Sequence, residues 1–176
     1  MNDSTAVKTL CILRLSALGD ATHVLPLIRT LQRNLPGCRI TWILGKGEAK
    51  LMEGLENVEL IAFDKKSGLK GVKQLAQQLA GRRFDVLLQM QLALRANLIS
   101  AVIPANRRIG YDTGRSKEGH GLFINERIAS GKHHVLDVFG LFAEPLGFLQ
   151  TDIRWDIPVS AQDHAWAKAQ WPDGKP

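Results

Sequence analysis

TLCILRLSALGDATHVLPLIRTLQRNLPGCRITWIL, residues 9–44, decides how this chain folds. Its first seven residues form a near-continuous apolar run of the kind shown by a strand buried on both faces of a parallel sheet. A helical period follows: from about Ala21 to Leu35, the residues Val24, Leu27, Ile28, Leu31 and Leu35 fall on one face, and Pro36-Gly37 stops the helix. CRITWIL (38–44) then reads as a second strand.

The alternation continues outward. A short helix is expected near 47–55, a strand at VELIAF (58–63) and a longer helix over 68–80. FDVLLQM (84–90) reads as a strand, 92–103 as an apolar helix closed by Pro104, and RRIGY (107–111) as a further strand. The fold class that follows is α/β, a doubly wound, mostly parallel Rossmann-like sheet. Residues 112–133 are Gly-rich and polar and predict a long surface loop. A last helix, 134–147, carries Val135, Val138, Phe139, Phe142 and Leu146, and beyond it the pattern offers one strand, a Ser160-capped helix and a Pro/Gly-rich end. The expected division is a domain over 1–158, with 159–176 opening a linker towards a second domain that the sequence does not contain.

With 176 residues, 45% of them apolar, the chain can bury one core. Lys and Arg total 23 against 17 for Asp and Glu, a net charge of +6 that favours acidic partners. Lys65, Lys66, Lys70, Lys73, Arg82 and Arg83 occur without one intervening acidic residue, and Arg107, Arg108, Arg115 and Lys117 form a second cluster. Both clusters are expected to face one cleft, with phosphate groups as ligands. Nucleic acid is disfavoured as a partner, because aromatics are 6% of the chain and none is interleaved with these basic residues. Cys11 and Cys38 sit in apolar runs and read as reduced thiols of a cytoplasmic protein. No stretch reaches the roughly 18 to 20 apolar residues of a membrane span, so contact with a membrane is expected to be peripheral. Walker, zinc-spacing and Gly-x-Ser-x-Gly patterns are missing, and GKGEAK (45–50) lacks the third glycine of a dinucleotide fingerprint.

In a parallel sheet, ligands bind outside the carboxyl ends of the strands, which places Ser16–Asp20 at a favoured position. Gly19 is expected to allow a tight turn or a close approach of ligand to backbone. Asp20 has two readings. As an N-cap it accepts from the amides of Thr22 or His23, worth on the order of 1 kcal/mol. As a general base it takes a proton from a substrate hydroxyl, a role that a helix N-terminus weakens and desolvation restores. His23, one turn on, is either a satisfied structural histidine or a ligand contact above Gly19.

Ser16, Gly19, Asp20, His23 and Pro26 fit the pattern Ser/Thr-x-x-Gly-Asp, two residues, His, two residues, then an apolar helix containing Pro. With FDVLLQMQLALRANLISAVIPANRRIGYD (84–112), SKEG (116–119) and HHVLDVFGLFAEPLGF (133–148), this resembles the heptosyltransferases of glycosyltransferase family 9. The resemblance implies a GT-B architecture of two facing Rossmann-like domains. This chain would be the acceptor-binding half, and the donor-binding C-terminal domain would be absent. It implies inverting transfer of heptose from ADP-heptose, a nucleotide sugar, to a phosphorylated, lipid-linked sugar of the inner-core lipopolysaccharide precursor. No metal or other cofactor is implied, and the place of action is the cytoplasmic face of the inner membrane.

By the same resemblance Asp20 falls on the family's base, and Ser16, Gly19 and His23 lie with it at the acceptor. Lys65, Lys66, Lys70 and Lys117 fall near basic positions that hold acceptor phosphates and carboxylates, and His134 sits at a family histidine. Two positions depart from the pattern: Lys117 supplies a point charge where Arg is usual, and Gln89 or Gln91 stands where an acidic residue is common. This half alone is expected to hold an acceptor and transfer nothing. The competing expectation is a non-catalytic Rossmann-like module that binds a nucleotide or a protein, with Asp20 as a cap and the lysines as a solvated face.

Overall fold

The computed structural model describes residues 7–117, 119–131, 134–149 and 152–171. Six strands form one sheet: β1 (Thr9–Leu13), β2 (Arg39–Gly45), β3 (Val58–Phe63), β4 (Phe84–Gln89), β5 (Ala105–Gly110) and β6 (Glu126–Arg127). Their order is β3-β2-β1-β4-β5-β6, and every neighbouring pair is parallel. The doubly wound α/β expectation holds. Alternation along the strands divides the core: Leu10, Ile12, Trp42, Leu44, Val86 and Leu88 face one side of the sheet, and Cys11, Leu13, Ile43, Ile61 and Leu87 face the other.

The helices are α1 (Leu18–Thr22), α2 (Leu25–Asn34), α3 (Lys46–Leu51), α4 (Gly68–Gln78), α5 (Leu94–Ala101), α6 (Val135–Gly140) and α7 (Ala161–Gln170). α2 and α6 pack on the first face through Leu27, Ile28, Leu31, Val138 and Phe139. α4 and α5 pack on the second through Leu75 and Ile99, with Leu79 and Ile103 just beyond their ends.

Four local expectations are corrected. The single helix over 21–35 is two, because Pro26 lacks an N–H and its ring excludes the carbonyl one turn back, so it opens α2 and cannot continue α1. The polar stretch 112–133 is not all loop: β6 pairs Glu126 with Ile109 and Arg127 with Gly110, and His120–Leu122 forms a 3-10 turn. The helix over 134–147 tightens after Gly140 into a 3-10 segment, Leu141–Leu146, that contains Pro145. No strand forms over 152–160. That segment instead lies along α2, with Asp152 N–H 3.4 Å from Thr30 Oγ1 and Arg29 paired to Asp156 at 2.9 Å.

Ser160 caps α7 as expected, accepting from the Asp163 amide at 3.0 Å while Asp163 accepts from the Ser160 hydroxyl and amide. α7 buries none of its residues. Of the expected linker 159–176, residues 172–176 lie outside the described residues, as do Glu118 of the SKEG stretch and His133. Among the described residues no helix is long and apolar enough to cross a membrane.

Candidate active site

Because all six strands run the same way, the loops that leave them share one rim. Ser16, Gly19, Asp20 and His23 follow β1; Lys65, Lys66 and Lys70 follow β3; Lys117 follows β5; His134 follows β6. The topology therefore places all nine candidates at the carboxyl end of the sheet. β1 and β4 are neighbours from which the chain winds in opposite directions, and Asp20 stands beside that switch point.

Asp20 is the third residue of α1, not its N-cap. Its Oδ2 accepts from the Ala17 amide at 3.2 Å and from the Arg14 guanidinium, whereas Oδ1 takes part in no hydrogen bond among the described residues. Ala17 has no side-chain acceptor to return, so only half of a capping box exists. The Asp20 side chain is 35% exposed and that of Arg14 13%. Arg14 also donates to the Met90 carbonyl and lies 5.1 Å over the Phe139 ring. Its Nε is buried without a partner among the described residues.

A second tie crosses the same crevice. Gln91, just past β4, accepts from the Leu15 amide at 2.7 Å through Oε1 and donates to Ser16 Oγ at 3.1 Å through Nε2. The Ser16 hydroxyl proton stays available for another acceptor. Gly19 is helical and exposed, and a Cβ there would meet nothing within 4 Å, so the fold itself does not require glycine at this position. The expected tight turn at Gly19 is thus corrected. Steric need lies instead at Gly45, where a Cβ would stand 2.2 Å from Glu48 Oε2 and 2.6 Å from Leu15 O.

His23 Nδ1 lies 2.7 Å from the Gly19 carbonyl, which fixes the proton on Nδ1, and its ring meets Trp155 edge-on at 5.9 Å. Both expectations for it survive: one nitrogen is satisfied within α1, and Nε2 makes no hydrogen bond among the described residues. Lys65 reaches the first loop, with Nζ 3.4 Å from Leu15 O and 2.9 Å from Glu48 Oε1, so its charge is already paired. Lys66, Lys70 and Lys117 are exposed and form no ion pair among the described residues. His134 caps α6, its Nδ1 accepting from the Leu136 amide at 3.4 Å.

The two basic clusters do not face one cleft as wholes: their lysines after β3 and β5 share the carboxyl rim, but their arginines lie elsewhere or are already bound within the fold. Arg82 and Arg83 precede β4 and lie at the opposite edge of the sheet, where Arg82 is bound bidentately by Glu59. This pairing holds Glu59 below the ordinary carboxylate range. Arg107 is bidentate to Glu126, Arg108 donates to the carbonyls of Phe123, Ile103 and Ser100, and Arg115 pairs with Asp112. These arginines build the fold. A cavity of about 930 Å³ opens among Arg39, Thr41, Glu59, Arg82 and Phe84 at the amino edge, and one of about 450 Å³ beside α3; Asp20 lines neither.

Behind the rim lies a buried polar lattice. Gln89 donates to Asn97 Oδ1 at 2.6 Å, His120 Nδ1 stands 3.1 Å from the same oxygen, and His120 Nε2 accepts from the Tyr111 amide at 3.1 Å. These partners fix a neutral imidazole protonated on Nδ1, and burial, helped by Arg127, pulls its pKa down. The Tyr111 hydroxyl donates to Met90 O, the carbonyl that also receives Arg14. Burial raises its pKa to about 12, so it remains a donor. Among the described residues no group of three or more His, Cys, Asp or Glu is placed to hold a metal.

Sequence reasoning passed over Arg14, Gln91 and Tyr111 as parts of the site. For Arg14 a signal existed: it is the single charge within TLCILRL, and a charge inside a buried run needs a partner.

Residues 72–176 match the family described as glycosyltransferase family 9 (heptosyltransferase). The chain belongs to this family. It is similar to the lipopolysaccharide core heptosyltransferase OpsX of Haemophilus influenzae, at 44% identity over 163 residues, covering 92% of this chain and 47% of that protein. A family 9 glycosyl transferase from Veillonella parvula shares the fold at a TM-score of 0.81 and 21% identity, over 94% of this chain and 49% of that one. The E. coli heptosyltransferase WaaC, solved with ADP-2-deoxy-2-fluoro heptose, shares it at a TM-score of 0.70 and 22% identity, over 84% of this chain and 51% of that one. The chain spans about half the length of these family 9 relatives.

Proposed function

We propose that this chain is the acceptor-binding half of a family 9 heptosyltransferase, with Asp20 as the general base. An acceptor hydroxyl attacks the anomeric carbon of an ADP-heptose donor; its proton passes to Asp20 Oδ1, the new glycosidic bond forms with inversion, and the bond to ADP breaks with its electron pair leaving on the phosphate. The observation that carries this reading is the one-sided hold on Asp20. Arg14 and the Ala17 amide fix Oδ2 at the switch point, and Oδ1 is unengaged among the described residues. Ser16 Oγ and His23 Nε2 orient the acceptor, and Gly19 leaves space for it above α1. Lys66, Lys70 and Lys117, with Lys65 paired to Glu48, attract the phosphates or carboxylates of a lipid-linked inner-core sugar, and His134 stands on the same rim. The donor is held chiefly by a second domain reached through 159–176, and the domain described here runs to about 158. The reaction takes place at the cytoplasmic face of the inner membrane.

The test is heptose transfer by a protein that carries this chain together with the donor-binding half. Asp20→Asn should lower turnover by roughly 10² to 10⁴ and leave acceptor affinity within a few fold. Near-normal turnover of the variant would leave Asp20 only the role of fastening α1 to β1, while absence of transfer by the parent itself would favour the second reading, a non-catalytic nucleotide- or protein-binding module, for which the Arg14–Asp20 pair also speaks.

A further inference from the structure

α4 and α5 pack on the same face of the sheet, and their inward residues, Gly71 and Leu75 on α4 and Ala96, Ile99 and Ser100 on α5, are buried. Their outward residues are not what a solvated face requires. Leu69 is 80% exposed, Leu94 52% and Leu98 46%, with Leu94 and Leu98 one turn apart on the same side of α5. Around them stand Lys66, Lys70, Lys73 and Arg95, all exposed. The starts of the two helices are tied together, since Arg95 donates to the Lys65 carbonyl at 3.0 Å.

No acidic residue lies between Lys65 and Arg83. The two carboxylates just before α4 in space, Asp64 and Glu48, are occupied by Lys46 and Lys65. Leucines set among cations that form no ion pair among the described residues suit a surface that is apolar below and anionic above, where the leucines enter the acyl boundary and the lysines stay with the headgroup phosphates. A second copy of the chain would set lysine against lysine.

We infer that the outer face of α4 and α5, centred on Leu69 and Leu98, is a docking surface for an anionic lipid bilayer. The inference deepens the acceptor reading, since a lipid-linked acceptor is met at such a surface, and it stands on residues distinct from Asp20.

The experiment is co-sedimentation of the 176-residue chain with vesicles of phosphatidylcholine alone or mixed with phosphatidylglycerol, at low and high salt. The chain should pellet with the anionic vesicles at low salt, and at least about tenfold less well with the neutral ones. Leu69→Glu with Leu98→Glu should reduce the anionic partition by about tenfold or more, with the parent's melting temperature. If the double variant melts early, Leu69→Glu alone should still lower it by at least about threefold. Failure of the parent to pellet, or an unaltered partition of the leucine variants, would overturn the inference; the latter result would reduce the face to a general attraction for polyanions. No sugar or nucleotide is present, so failure here leaves Asp20 untested, and loss of transfer in Asp20→Asn leaves the lipid surface standing.

Discussion

Arg14→Met removes the group on which the geometry of Asp20 depends, and its effect can be worked from contacts. The guanidinium makes one charge-assisted hydrogen bond to Met90 O, worth about 2 kcal/mol. It also makes one ion pair to a carboxylate that is 35% exposed, discounted for solvent to about 1 kcal/mol, and one cation–π contact with Phe139 of about 1 kcal/mol. Against this, its buried Nε has no partner among the described residues, and removing it returns about 1 to 2 kcal/mol. Met90 O keeps the Tyr111 hydroxyl, so no carbonyl is orphaned. Methionine refills most of the volume. The net expectation is a loss of about 2 to 3 kcal/mol in urea unfolding, or about 4 to 12 °C in Tm for a chain of this size. A double-mutant cycle with Asp20→Asn isolates the pair and should return a coupling of about 1 kcal/mol. A loss below about 0.5 kcal/mol, or a coupling indistinguishable from zero, would refute the claim that Arg14 sets the position of Asp20.

Stability should also depend on pH through His120, whose imidazole is held neutral below its ordinary value of about 6.5. As pH falls through about 6.5 the unfolded chain takes up a proton that the folded chain refuses, so stability falls at up to about 1.4 kcal/mol per pH unit. In His120→Gln the slope between pH 6.5 and 5 should flatten, whereas losses at Glu59 and Glu126, whose carboxyls are depressed by Arg82 and Arg107, appear only at lower pH. An equal slope in both proteins would show that another group titrates. Thiol alkylation at pH 7.5 should be slow at half-buried Cys38, pushed up to about 11 by burial, and confined to denaturant at fully buried Cys11; prompt labelling of Cys11 in native buffer would contradict the packing between the sheet and α4.

The sheet was legible because parallel strands buried on both faces write themselves as short apolar runs. VELIAF matches β3 residue for residue, and β1, β2 and β4 fall within two residues of their expected ends. β6 was not legible, since two residues, Glu126 and Arg127, carry no periodicity, and their place is decided by pairing with Ile109 and Gly110. Ser16, Gly19 and Asp20 were found through a topological rule, that a parallel sheet gathers its exits on one rim, whereas Lys65, Lys66, Lys70, Lys117 and His134 came from the family resemblance. Linear proximity in charge misled: Arg82 and Arg83 are near Lys73 in sequence but enter β4, which puts them at the far edge beside Glu59. Gln91 lies 75 residues from Ser16, and no local pattern announces that contact.

The placement of Asp20 bears on its chemistry. A carboxylate on a loop tip samples many directions, but this one is referred to the sheet twice over: Arg14 reaches from β1 to the end of β4, and Gln91 reaches back from β4 to Leu15 and Ser16. The two ties are reciprocal, so shifting one strand against the other strains both. In the proposed reaction this gives the base a fixed direction before the acceptor arrives, the kind of preorganisation that lowers a barrier without reorganisation at the moment of transfer. The division between the two oxygens fits the same demand. When Oδ1 takes the proton, Oδ2 can still accept from Arg14 and from the Ala17 amide, so the side chain need not leave its seat between the two protonation states. An Asp20 serving only to fasten α1 would be as well placed with both oxygens bound.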